Sequence, residues 1–178
     1  MKSKIISLSA ISAGFIAISL TLGAYIEFID IVAVVLTAVF VIMPLYYNSY
    51  LGSFLSYLAG GVIAFMLSGF NLYSIVFPSY FGFFGVFPII KFLMAEKRVN
   101  KILAYIVGMV WCVAVFYGVF FYYTMFMGQV LEGLPVWMTE YILYIAVGLF
   151  GVISYVVFDR FYLVSKQLVD RYLRRIIK

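Results

Sequence analysis

Residues Ile5–Tyr25 read IISLSAISAGFIAISLTLGAY, a run without a single charge. A helix rising about 1.5 Å per residue covers a hydrocarbon core of roughly 30 Å in about 20 residues, so this stretch is long enough to cross a bilayer. Lys2 and Lys4 precede it, a layout that partly imitates a secretory signal. Its length instead marks a retained helix. Further uncharged runs follow at Ile31–Tyr47, Tyr50–Phe70, Leu72–Ile90, Ile102–Met127 and Tyr141–Phe158. They are separated by Glu27 and Asp30, by Asn48, by Gly69 and Asn71, by Glu96 to Lys101, and by Gly128 to Glu140.

The expectation is an all-α polytopic membrane protein of six transmembrane helices, at about 5–25, 31–47, 50–70, 72–94, 102–127 and 140–160. Composition agrees. Of 178 residues 67% are hydrophobic and 11% charged, against about 25% charged in ordinary soluble domains. A chain this short cannot enclose so much apolar surface in a core of its own, and lipid has to cover the remainder. No repeat or linker divides the chain, so 1–178 is expected to be one transmembrane domain.

The twelve Lys and Arg residues fall before the first run, around the fourth-to-fifth connection (Lys91, Lys97, Arg98, Lys101) and after the sixth, from Arg160 onward. The opposite side would carry Glu27, Asp30, Glu132 and Glu140 and no base. Basic residues favour cytoplasmic loops, which places both termini in the cytoplasm of a plasma-membrane protein. The net charge of +5 is therefore a topology signal and not a nucleic-acid footprint, which needs a continuous basic face. Residues 161–178 alternate apolar and basic positions at helical spacing, from Phe161 through Leu168, Val169 and Tyr172 to Ile176, and read as a basic amphipathic tail at the lipid headgroups.

Chemistry is sparse. The chain has no histidine and one cysteine, Cys112, in an apolar run. Histidine-dependent hydrolysis, thiolate metal sites and intrachain disulfides are thereby excluded. No catalytic residue, cofactor or metal is expected, and the protein is read as no enzyme.

Four features remain. In the first run Ser9, Ala13, Ala17 and Thr21 recur every fourth residue. Such a face lets helix backbones approach closely, either within the bundle or against a separate subunit. The segment from Pro78 to Pro88, with Gly82 and Gly85 between, should kink or break its helix, and the freed carbonyls must find partners or a cavity. Lys91 and Asp159 sit at similar depth near the cytoplasmic ends of the fourth and sixth helices, where pairing offsets the cost of burying either charge. On the outer side gather acids and aromatics, including Glu27, Asp30, Asn71, Tyr73, Ser79, Tyr80, Tyr123 and Trp137. They suit a small-molecule pocket, although an aromatic belt at the interface explains several of them equally.

The size, the six helices, the Ala13-xxx-Ala17 face and the shared cytoplasmic ends resemble the S components of energy-coupling factor (ECF) transporters. Val86-Phe87-Pro88-Ile89-Ile90-Lys91 and Val156-Val157-Phe158-Asp159-Arg160 look more narrowly like a Firmicutes group of S-component-like membrane proteins. The resemblance implies capture of a vitamin or similar micronutrient from outside. Delivery inward would go through an ECF transmembrane coupling subunit powered by two ABC ATPases. It also implies that Ala13 and Ala17 dock the coupling subunit, and by position it nominates Glu27, Asn71, Tyr73, Tyr80, Tyr123 and Trp137 for the ligand. A second class, the envelope scaffold MreD, is similar in size and helix number and would bind proteins instead of solutes.

Overall fold

The computed structural model describes residues 2–71, 74–127 and 140–176. These residues are helical, with no strand among them. The first helix, α1 (Lys2–Tyr25), passes through a 3-10 turn at Glu27–Ile29 into α2 (Asp30–Leu45); α3 (Tyr50–Leu67) follows. The fourth region is a short α4 (Val76–Ser79), a π-turn (Tyr80–Phe84) and α5 (Phe87–Glu96), after which come α6 (Lys101–Met127) and α7 (Glu140–Ile176).

Three connections are made by one device. Asn48, Gly69 and Arg98 each take positive φ, at 53°, 68° and 53°. After Gly69, Phe70 N–H donates to the Phe65 carbonyl and Gly69 N–H to Met66, while the Phe65 and Phe70 rings lie 5.3 Å apart. That is a Schellman cap with its apolar clasp. Ser49 and Val99 N–H groups close the same six-residue ring onto Pro44 and Met94. Ser49 then caps the next helix, its Oγ accepting from Gly52 N–H at 3.2 Å.

Among the described residues five helical segments are long and apolar enough to cross a membrane: Ser3–Tyr25, Tyr50–Leu67, Val76–Glu96, Lys101–Met125 and Ile142–Val169. The remaining one, α2, has 16 residues, about 24 Å of rise, and is shorter than a typical hydrocarbon core. It is the central helix, with Ala33, Val34, Thr37, Ala38, Val41 and Ile42 all buried. Consecutive helices run antiparallel: Ser53 Oγ donates to the Val41 carbonyl, and Tyr117 OH in α6 donates to Tyr144 O in α7. The start of α3 and the end of α5 meet through Tyr50 and Glu96, and Lys166 of α7 sits 4.7 Å over the Phe92 ring. These termini therefore share one end of the bundle.

The core is aromatic. Phe83 and Phe87 stack at 4.7 Å, and Tyr155 and Phe158 of α7 meet them edge-on or tilted. Much of the outer surface of α6 and α7 is exposed Ile, Leu, Val and Phe, the surface that lipid is needed to cover.

The fourth region breaks where the prolines and glycines predict it: its regular part begins at Val76 and is interrupted by the π-turn. Pro78 and Pro88 both lie in the first turns of helical pieces, where a missing N–H costs little. The sixth helix and the tail form one α-helix, which continues past 160 to Ile176, 37 residues in all, because no Gly or Pro interrupts 159–176. One face of this extension, at Tyr162 and Val169, is buried with Ile42 against Val39 and Met43 of α2. One face of the tail's first part is thus packed on protein.

Candidate functional site

The break around the π-turn exposes backbone carbonyls in an apolar setting, where each needs a donor. Two neighbouring helices supply them. Trp111 Nε1 of α6 donates to Gly82 O at 2.8 Å, and Tyr57 OH of α3 donates to Phe81 O at 3.1 Å. Tyr80 OH returns the bond by donating to Tyr57 O at 2.9 Å. Space is tight here: a Cβ at Gly85 would come within 2.4 Å of the Tyr57 ring. The broken segment is held in one place and shapes the surfaces on both of its flanks.

On one flank a cleft of about 270 Å³ lies between α2 and α7, close to the lower bound for small-molecule sites. Val34, Phe84 and Phe158 form its buried floor, and Phe116, Phe150 and Ile153 its sides. Ser79, just after the Pro78 turn, and Ser154 bring hydroxyls to an otherwise apolar wall. Asp30 closes the end opposite the basic cluster. It is the first residue of α2, and its Oδ1 accepts from Ile31 N–H, in keeping with the preference of carboxylates for helix N-termini. Among the described residues no lysine or arginine lines this cleft.

On the other flank a larger and more open apolar groove of about 880 Å³ runs along α6 from Ile106 to Tyr122, edged by Pro78 and Gly82. The bend at the prolines therefore does border open space.

The residues nominated from sequence disperse. Tyr80, expected to face a solute, is fully buried with its hydroxyl committed to Tyr57; it is a core residue. Asn71 is half-buried beyond the α3 cap. Tyr123 on α6 is half-buried and interacts electrostatically with Asp30, which brings it nearest to the cleft. Glu27 has its backbone in the 3-10 turn, and its side chain, like Tyr73 and Trp137, lies outside the described residues. Among the nominated side chains that are described, none lines the cleft. Its own residues, Asp30 and Ser79, belonged to the outer polar set but were not among those nominated for the ligand. Ser154 was missed, although a serine within an apolar run is a signal in itself.

The small face of α1 is used inside the chain. Ala17 is buried, Ser56 Oγ donates to the Ser9 carbonyl at 2.9 Å, and a Cβ at Gly60 would stand 2.9 Å from the Ala13 carbonyl and 2.6 Å from Ile16. Here α1 and α3 are in backbone contact, so Ala13 and Ala17 are not an open docking face. The Lys91–Asp159 pair is present, joining α5 to α7, and Lys91 Nζ also lies 4.6 Å over the Tyr162 ring. Among the described residues no group of three or more His, Cys, Asp or Glu gathers in metal-binding geometry.

Comparison of the chain with protein-family models, with curated proteins and with solved structures finds no match in any of the three.

Proposed function

We propose that this chain is a solute-capturing membrane subunit of the ECF S-component kind. It crosses the bilayer six times with both termini in the cytoplasm and receives a small micronutrient in the α2–α7 cleft. An ECF coupling subunit and two ABC ATPases then drive delivery inward. The observation that carries this reading is the cleft itself, apolar along its length, with one carboxylate at the end away from the basic residues. Orientation is supported by the basic residues, which cytoplasmic loops prefer. Because Ala13 and Ala17 are taken up by α3, the coupling subunit would meet the exposed edge of α1 at Ala10 and Gly14.

The test is native mass spectrometry of the purified protein. A co-purifying small molecule is expected in the wild type and should be lost from Ser154→Trp, which fills the cleft. A molecule retained by folded Ser154→Trp would place the binding elsewhere. One observation favours a scaffold role of the MreD type: the open apolar groove along α6 has the form of a seat for a partner's helix. Pull-down separates the two, since a transport subunit should recover ABC ATPases and a scaffold should recover cell-envelope proteins.

A further inference from the structure

Resting on the cleft as the capture site, we infer that its ligand is a small organic cation with an apolar or aromatic body. Among the described residues Asp30 is the only charged one lining the cleft. Within the described residues no lysine or arginine pairs with it, because the ion pair found there belongs to Lys91 and Asp159. Its carboxylate accepts from the adjacent Ile31 N–H and interacts electrostatically with Tyr123; with about four lone-pair sites on two oxygens it retains acceptor capacity.

The aromatic walls act in the same sense. Phe84, Phe116, Phe150 and Phe158 surround the volume beyond Asp30. Phenylalanine faces carry negative quadrupole density and attract cations, the more so when water is excluded. An anionic solute would meet the carboxylate with only the Ser79 and Ser154 hydroxyls to offset it. A sugar-like neutral solute would lose most of its hydrogen bonds to an apolar wall. A cation with an apolar body instead gains at both ends, its charge near Asp30 and its body among the rings. The cleft also opens sideways between exposed Ile31, Ile153 and Val157, so the apolar part of such a ligand can enter from the lipid side.

The test titrates the purified protein in detergent with three probes: benzyltrimethylammonium, its uncharged carbon isostere neopentylbenzene, and the anion benzenesulfonate. Folded Ser154→Trp supplies the background for detergent partitioning. Benzyltrimethylammonium should bind at least about tenfold more tightly than the neutral isostere, and benzenesulfonate should not bind. Asp30→Asn should bring the cation down to the affinity of the neutral probe while leaving the neutral probe unchanged. Equal binding of cation and isostere, both abolished by Ser154→Trp, would overturn the charge inference and leave the cleft standing. Cation binding that survives Ser154→Trp, or no binding by any probe, would overturn the cleft as the site and this inference with it.

Discussion

Lys91 and Asp159 pair across the α5–α7 interface with side chains only 20% and 14% exposed. Two charges at this depth are costly apart and tolerable together, and removing one partner leaves the other uncompensated at about 3–5 kcal/mol. Asp159→Ala and Lys91→Ala should therefore cost less together than the sum of their separate losses. The coupling should come to about 1–3 kcal/mol. Unfolding of the four proteins in one detergent measures it, and additive losses would mean that the pair contributes no stability.

Trp111 and Tyr57 act as donors to the broken segment as well as packing against it. Trp111→Phe removes the donor to Gly82 O, and Tyr57→Phe the donor to Phe81 O, while most of the ring volume remains. Each orphaned carbonyl should cost about 1–3 kcal/mol. The double variant should let the π-turn move, read as faster hydrogen exchange at residues 80–86 with unchanged exchange in α1. Unaltered exchange at the turn would mean that packing alone fixes it.

The two faces of α1 should respond oppositely to bulk. At Ala17 the helix is buried, whereas a Cβ at Gly14 meets nothing within 4 Å. Ala17→Trp should lower folded yield sharply, overpacking costing about 1–3 kcal/mol or more. Gly14→Trp should fold normally, yet fail to associate with a coupling subunit if that edge of α1 docks one. The readout is monodisperse yield by size exclusion, followed by co-purification. Comparable yields from both variants would contradict the α1–α3 contact.

The separation of Ile5–Tyr25 from its successors was legible because charges and turn residues punctuate the chain. Asn48 and Gly69 stand where the backbone has to turn left-handed, and sequence marks such positions well. The break between Pro78 and Pro88 and the pairing of Lys91 with Asp159 could be read for a related reason: proline geometry and buried charge each leave few options. What composition hides is rotation about the helix axis. In lipid an apolar residue suits either the bundle or the bilayer, so hydropathy does not say which way Tyr80 points, or whether Ala17 meets α3 or another protein. The cleft escaped notice for the same reason, since Phe84, Phe116 and Phe158 become a site only once α2, α6 and α7 are assembled. The length of α7 follows from the absence of Gly or Pro after Arg160, since a charged residue does not by itself end a helix.

Cys112 makes the orientation directly testable. Its thiol is fully buried, with Sγ 3.6 Å from the Gly151 carbonyl between α6 and α7, so it should stay silent to membrane-impermeant maleimide in folded protein. New cysteines can then be added without removing it. Phe28, 98% exposed in the turn before α2, lies at the Asp30 end, and Asn100, also exposed, lies beside Lys97 and Lys101 at the other. Phe28→Cys should label in intact cells, and Asn100→Cys only in inverted vesicles. The physical cause is the cost of moving the basic loop at Lys97, Arg98 and Lys101 across the membrane. The reverse pattern would turn the Asp30 end of the cleft toward the cytoplasm, and capture from outside would then be impossible. Labelling of both positions from one side would show that the number of crossings between them is even, contrary to the three passes proposed for α2, α3 and the α4–α5 segment.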